Sequence, residues 1–277
     1  MDAPIIIPRR KWIGDVSKLA AMLMARRACA QLTALPLYAG SKPSSNGLLA
    51  GTLGYWKLDD VTTGAGFVWT DATGNGWGAT QHGTVLHDTT QFVIIASAAD
   101  SIAGTLAASA SIDTRSGTTP FSVSLWLQDN GNSFGNNPFA FDDTTNRNWS
   151  LYMGNSSGGS GGSPVYVSLQ TWQSGGTYDN AITSNAACHT NVQFDHIVAG
   201  YDGTNRFIVI NNGSRVTSAV SSVKRGTAPL TIMSRGDNIA NFIGYVDEVA
   251  YFNFALSATQ IGLIYNGGAG LPFSSYS

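Results

Sequence analysis

Alternating apolar and polar positions predict β-strands along most of the chain. Over residues 121–128 every second residue is apolar, which is the period of a strand with one face in a core. Those apolar positions are Phe121, Val123, Leu125 and Leu127. Residues 242–249 alternate in the same way and carry the adjacent acids Asp247 and Glu248. Shorter runs of this kind predict strands over residues 52–58, 139–141, 149–153, 165–172, 196–201, 206–211, 214–219 and 230–234.

The apolar pattern changes after residue 255 and predicts one short closing helix. Ser257 is a favourable N-cap, and Ile261, Ile264 and Tyr265 then fall on one helical face. Two glycines at 267 and 268 follow and are expected to end the helix. Many short strands, Gly- and Asn-rich turns and one terminal helix predict an all-β fold. We expect residues 51–277 to form a two-sheet antiparallel jelly-roll sandwich.

Composition agrees with one β-rich domain. Charged residues make up only 12% of the 277, while 43% are hydrophobic and include seven Trp, enough for one sizeable core. There is no run of about 18 apolar residues, so no membrane span is predicted. The two cysteines, Cys29 and Cys188, are too few for a disulfide framework and are expected to be free thiols, as in a chain that folds in the cytoplasm.

The first 50 residues differ from the rest and are interpreted as an N-terminal docking arm with a linker. Residues 1–42 hold seven basic residues against two acidic ones, whereas residues 43–277 hold eight basic against fifteen acidic. Prolines bracket an isoleucine run, which predicts an extended segment, and a helix is predicted from Asp15 to about Leu32. The arm residues expected to make contacts are Ile5, Ile6, Ile7, Arg9, Arg10 and Trp12.

The arm is expected to meet a protein partner. A basic segment on an acidic body favours contact with something other than its own domain, such as a neighbouring subunit or another copy of the chain. The alternative is that the arm folds back on its own domain. A signal peptide is not expected, because Asp2 and the pair Arg26 and Arg27 break the required pattern.

Several short motifs occur in the order found in one known family. They are YWKLD at 55–59, DATGNG at 71–76, FSVSLW at 121–126, HIVAGYDG at 196–203, INNG at 210–213, GYVDEV at 244–249 and ALS at 255–257. Over residues 52–270 the chain resembles the laminin-G-like members of the concanavalin A-like lectin/glucanase superfamily. The resemblance implies a jelly-roll sandwich. It says less about function, because that fold carries lectins, adhesion modules, hydrolases and structural parts.

The resemblance also implies one structural calcium ion at the edge of the sandwich. Positions of this chain that match are Asp71, Asn75 and Asp247. Calcium takes six to eight oxygen ligands, and a Gly-rich acidic turn supplies several. The alternative is that Asp71 caps its own turn and that Asp247 pairs with an arginine or a backbone amide.

A glycosidase is not predicted. Retaining glycosidases need two carboxyl groups about 5–5.5 Å apart. Glu248 is the only glutamate in the chain, and strand alternation is expected to turn its neighbour Asp247 to the opposite face. No pattern of a serine hydrolase or a metallohydrolase accompanies the four histidines. We therefore expect a protein without catalytic machinery.

Aromatic and amide side chains between residues 149 and 172 form a candidate carbohydrate site. Sugars combine apolar C–H faces with hydroxyls and so favour aromatic rings next to Asn and Gln. The candidate residues are Trp149, Tyr152, Tyr166, Gln170 and Trp172, and Trp126 is a further candidate. The alternative is that these aromatic residues are part of the core.

Together these features predict a non-catalytic, lectin-like binding protein anchored through its arm. The uncleaved, charge-poor chain with its arm resembles accessory proteins of tailed-phage particles, made in the host cytoplasm and placed on the virion surface, where the partners are capsid or tail proteins and surface polysaccharide. The alternative is a bacterial extracellular carbohydrate-binding or adhesion module. Nucleic acid is not an expected partner, because the body is acidic.

Overall fold

The computed structural model describes the chain from residue 47 onwards, with short gaps. The described residues are 47–62, 64–94, 98–108, 110–131, 135–143, 145–156, 164–191, 193–226, 228–236 and 240–277. The predicted arm helix, Cys29 and the arm contacts Ile5, Ile6, Ile7, Arg9, Arg10 and Trp12 lie outside these residues. Within them, no helix is long and apolar enough to cross a membrane.

The described chain is mostly β-structure, as predicted. The strands are β1 Thr52–Trp56, β2 Val68–Trp69, β3 Ala79–Asp88, β4 Ala98–Ala108, β5 Phe121–Asp129, β6 Phe139–Asp142, β7 Arg147–Gly154, β8 Tyr166–Trp172, β9 Tyr178–Thr183, β10 Asp195–Tyr201, β11 Asn205–Ile210, β12 Val216–Ala219, β13 Leu230–Ile232 and β14 Gly244–Phe252. The α-helices are α1 Leu48–Gly51 and α2 Ala258–Tyr265, and 3-10 turns cover Ala110–Asp113, Asn266–Gly268 and Phe273–Ser275.

The strands form two antiparallel sheets that face each other in a concanavalin A-like sandwich. One sheet has the order β12-β11-β10-β5-β14, with β1 also paired to β14; we call it the helix-side sheet. The other has the order β9-β8-β7-β6-β13-β4, followed by β3 and β2; we call it the open sheet. The two are joined where Gly244 and Val246 of β14 pair with Ser101 and Ala99 of β4.

The main core lies between the sheets and is rich in aromatic rings. The predicted apolar face of β5 points into it, so the alternation over residues 121–128 is confirmed. The ring centroids of Phe121 and Trp149 are 4.7 Å apart, and those of Phe141 and Tyr251 are 5.3 Å apart. Large rings crossing from one sheet to the other bury much apolar area and fix the spacing of the layers.

A second core covers the outer face of the helix-side sheet. Ser257 caps α2 with a complete capping box, and Ile261 and Ile264 are buried against the sheet, as predicted. Tyr276 near the chain end and Leu48 of α1 join this cluster. The packed domain therefore begins at least at residue 48, inside the segment interpreted from sequence as linker.

A β-bulge in β14 corrects the expected placement of its two acids. Asp247 pairs with Trp126 and Ala250 pairs with Ser124, so β14 has one more residue than β5 between these pairs. Glu248 occupies the extra position with a φ of 51°. As a result Glu248 does not alternate with Asp247, and both carboxyl groups lie on the helix side of the sheet.

Candidate carbohydrate-binding face

The outer face of β7, β8 and β9 carries most of the predicted sugar-binding residues. Strand alternation turns Tyr152 of β7 and Tyr166, Gln170 and Trp172 of β8 outwards, and all four are half-buried. Tyr178 of β9 pairs with Trp172 and is 45% exposed. We call these five residues the aromatic face. Four of its members were predicted from sequence.

Trp149 does not belong to this face, which corrects the sequence prediction. It pairs with Phe141 and Thr171, and its side chain points into the main core with 0% exposure. Its ring is packed against Phe121 and Tyr251. A sugar cannot reach a ring that is enclosed on all sides, so Trp149 is a core residue.

The surroundings of Trp126 also show that it is not part of a sugar site. It lies on the helix-side sheet, where its ring stacks on Tyr265 of α2 at 5.7 Å and on His196 at 4.7 Å. Only 2% of Trp126 is exposed. The stack is part of the contact between α2 and the sheet.

One end of the aromatic face is a cluster of two rings and a cation. The ring centroids of Trp172 and Tyr178 are 5.0 Å apart and tilted by 44°. The Arg147 guanidinium lies 5.4 Å from the Trp172 ring centroid, and its Nη1 is 3.3 Å from Oδ2 of the buried Asp142. Sequence reasoning missed Arg147 and Tyr178, although the turn at Gly175 and Gly176 indicates that a strand returns beside β8.

The middle of the face is built from small polar side chains. Ser150 of β7 is directly opposite Gln170 of β8. The Ser150 hydroxyl is fully buried and has no hydrogen-bond partner. One strand position further, the hydroxyls of Ser168 and Thr183 are 3.0 Å apart. Ser150 and Ser168 are both 0% exposed, so the polar groups of this row that a ligand can reach are the half-buried Gln170 and Thr183.

Residues 233–236 cover the neighbouring part of the open sheet. The chain reverses at Met233, which has a φ of 70°. The Thr231 hydroxyl, on the outer side of β13, donates to the Ser234 carbonyl at 2.7 Å, and the Gly236 N–H donates to the Asp142 carbonyl at 2.8 Å. Thr231 and Ala140 are consequently buried on their outer side. The aromatic face is thus bounded at β6.

The predicted calcium ligands Asp71 and Asn75 are engaged within their own turn. The Asp71 carboxylate accepts from the backbone N–H of Tyr55 and Trp77, each at 3.1 Å, and from Thr73. The Asn75 side-chain amide donates to the Leu53 carbonyl at 3.0 Å. Across the described residues there is no group of three or more His, Cys, Asp or Glu side chains placed to hold a metal ion. Asp71 and Asn75 are therefore already hydrogen-bonded within this turn, and calcium binding there stays a prediction.

Asp247 has features that fit a cation better. It is 1% exposed; its Oδ2 accepts from the Val93 N–H at 2.8 Å, while its Oδ1 has no hydrogen-bond partner. Burial raises the pKa of Asp247 to about 7. Burial, together with the nearby Asp247 charge, raises the pKa of Glu248 to about 8, and Glu248 also accepts from the Tyr55 hydroxyl. A cation here would be held by Asp247 and Glu248 and would favour their charged forms.

Two histidine contacts found in the structure had not been predicted. His196 is completely buried, and its Nε2 lies 2.8 Å from the Ser124 hydroxyl. Burial lowers the pKa of His196 to about 3, so the ring is neutral at ordinary pH. His189 is half-exposed, and its Nδ1 lies 2.7 Å from Asp195. The Ser124–His196 pair is enclosed under α2, away from the aromatic face.

Comparison with known proteins identifies a family for more than half of the chain. Residues 100–262 match a laminin G family described as the concanavalin A-like lectin/glucanases superfamily. Among curated proteins, none matches the chain by sequence.

Solved structures with the same fold are distant in sequence. Domain 4 of the extracellular arabinanase AbnA from Geobacillus stearothermophilus, solved with arabinotriose, aligns with a TM-score of 0.55 at 17% identity over 80% of this chain and 98% of that domain. The binding domain of Paraclostridial Mosquitocidal Protein 1 gives 0.60 at 12% identity over 80% and 53%. The binding domain of botulinum neurotoxin DC, solved with rat synaptotagmin II, gives 0.56 at 14% over 79% and 52%. The chain spans about half the length of these toxin domains.

Proposed function

The chain belongs to the laminin G family of the concanavalin A-like lectin/glucanases superfamily, and on that basis we propose that it is a non-catalytic carbohydrate-binding domain. The observation that carries the proposal is the aromatic face, where half-buried rings stand beside small hydroxyls and an amide on adjacent strands. Rings bind the apolar faces of sugars, and the half-buried Gln170 and Thr183 can bond their hydroxyls. The fold neighbour solved with arabinotriose supports a sugar ligand.

A binding role is favoured over catalysis by the position of the acids. Asp247 and Glu248 share one side of β14, but both are buried on the helix side, and Glu248 is bonded to Tyr55. On the open sheet, Asp142 is buried and pairs with Arg147. Neither arrangement places two exposed carboxyl groups around a bound sugar.

The test is binding to an array of neutral and acidic polysaccharides, followed by calorimetry with the best ligand. Trp172→Ala should weaken that binding about tenfold or more, because it removes an exposed ring. Phe92→Ala is the matched control, since Phe92 is 42% exposed and lies outside the aromatic face. If both variants bind the ligand as tightly as the wild type does, the aromatic face is not the binding site.

We further propose that the N-terminal arm attaches this domain to a larger assembly. The basic charge of residues 1–42 and the isoleucine run support a protein partner, and the setting that we propose is the virion surface of a tailed phage. Incubating the full-length chain with purified phage particles that lack it, and measuring co-sedimentation, tests this setting. Failure of the arm to promote co-sedimentation would favour an extracellular adhesion module.

A further inference from the structure

We propose that the glycan is an internal stretch of a linear, neutral polysaccharide that runs along β8, from Trp172 to Tyr166. This inference rests on the proposed function and specifies its ligand. Direction, length and charge of the ligand follow from three separate features of the open sheet.

The length follows from the spacing of the rings. Trp172 and Tyr166 are the two outward-facing aromatic residues of β8 and are six residues apart. A strand rises about 3.3 Å per residue, which separates them by roughly 20 Å. That distance exceeds one or two sugar rings. Aromatic side chains at both ends, Trp172 with Tyr178 and Tyr166 near Tyr152, therefore fit a ligand of several units.

The middle of the path offers hydrogen bonds where the ends offer rings. Between Trp172 and Tyr166 the outward positions of β8 are Gln170 and Ser168. They are flanked by the unpartnered Ser150 hydroxyl on β7 and by Thr183 on β9. Ser150 and Ser168 are fully buried, so a sugar chain lying along β8 would place its hydroxyls over the half-buried Gln170 and Thr183.

The direction follows from what covers the sheet. A ligand lying across the strands would have to continue from β7 over β6 and β13. Residues 233–236 occupy that route, because Ser234 is bonded to Thr231 and Gly236 is bonded to Asp142 on the outer side. The remaining long path follows β7, β8 and β9.

The neutrality follows from how the charges of this face are already compensated. Arg147 is paired with Asp142. An acidic sugar would compete with Asp142 for Arg147, whereas a neutral sugar leaves this contact intact.

The experiment is calorimetry of the full-length protein with two neutral series, arabino-oligosaccharides and cello-oligosaccharides, each from the monosaccharide upwards. Affinity for one series should rise with every added unit and level off at the length that spans both rings. Tyr166→Ala and Trp172→Ala should each lower affinity for the long ligand about tenfold and make the affinity level off at a shorter length. A purely structural effect would lower affinity equally at all lengths.

Phe92→Ala should leave the length dependence unchanged. A monosaccharide that binds as tightly as the longest ligand, or tight binding of acidic but not neutral chains, would overturn the inference while leaving carbohydrate binding in place. Tyr166→Ala without effect beside a damaging Trp172→Ala would reduce the site to one end. If the protein binds neither series and no neutral glycan on an array, both the inference and the proposed function are overturned.

Discussion

Trp149 and Trp172 are on neighbouring strands but face opposite sides of the open sheet. Trp149 fills the main core, so Trp149→Ala should lower the free energy of unfolding by about 3–5 kcal/mol. Trp172 is half-buried on the outer face, and Trp172→Ala should cost less than about 1 kcal/mol. Urea unfolding of both variants measures the difference. Equal losses would contradict the assignment of one ring to the core and the other to the surface.

His196 makes the stability of the domain depend on pH. The folded protein holds this ring neutral down to a pKa of about 3, while the unfolded chain takes up a proton near 6.5. At this residue the unfolded state therefore binds more protons, and His196 should contribute a loss of stability of about 1.4 kcal/mol for each pH unit below 6.5, until the folded pKa is approached. Asp247 and Glu248, whose folded pKa values are raised, contribute in the opposite direction over the same range.

The measurement is the slope of unfolding free energy against pH between 6.5 and 4, taken from urea titrations. His196→Gln should change this slope by the His196 contribution, about 1.4 kcal/mol per pH unit, even if it lowers stability at every pH. His82 is exposed on β3, so His82→Gln serves as the matched control and should keep the wild-type slope. An unchanged slope in His196→Gln would show that the ring is not held neutral by burial.

Calcium remains a prediction, and the structure sharpens its test. If a cation binds at the unpartnered oxygen of Asp247, calcium should raise the thermal midpoint of the wild type, and chelation should lower it. Asp247→Asn should reduce the response, whereas Asp71→Asn should retain it, since the Asp71 carboxylate is occupied by its own turn. If neither calcium nor chelator changes the thermal midpoint of the wild type, the calcium site is ruled out.

At the scale of elements, α2 holds one layer of the domain in place. Ser257→Ala removes the capping box and should lower stability by about 1 kcal/mol. The loss of stability should be confined to the start of α2, because the stacking of Tyr265 on Trp126 still holds the other end of the helix on the sheet. Hydrogen exchange should therefore rise first in α2. Thr259→Ala on the exposed side of the same helix is the control, and an equal effect of both changes would contradict a capping role.

Strands with one face in the core could be predicted from sequence, and exposed strands could not. β5 and β14 alternate strongly because their inner residues are apolar, and the closing helix carries its own cap. By contrast, β3 has three buried residues of ten and contains Gly83, and β9 has one buried residue of six. Neither shows the hydrophobic period of a half-buried strand, so both were missed.

The site was predicted in part for a related reason. Tyr152, Tyr166, Gln170 and Trp172 were placed near one another because β7 and β8 are consecutive strands. The face that each ring occupies depends on register and bulges. Between β6 and β7, for example, the register shifts between the pair Phe141 and Trp149 and the pair Asp142 and Arg147. Trp149 was grouped with Tyr152 although the register over residues 149–154 is regular and alternation turns these two rings to opposite faces. The pair Asp247 and Glu248 was misplaced because a single extra residue is not visible in a periodic pattern.

At the scale of the whole molecule, the chain enters the domain on the side opposite the aromatic face. Gly47 lies beside Gln260 of α2, and the Leu49 N–H donates to the Tyr276 carbonyl at 2.9 Å. Both contacts belong to the layer over the helix-side sheet.

The arm prediction can be tested by the mass of the protein in solution. If the arm drives association, as we propose, light scattering should show a defined oligomer for the full-length chain and a monomer for a chain that starts at Ser44, because the described domain has its own two cores. Ile6→Asp in the full-length chain should act like the truncation by placing a charge in the isoleucine run. If the full-length chain and the truncated chain are both monomers, the arm folds on its own domain or requires a different protein. Co-sedimentation with particles then decides between these two.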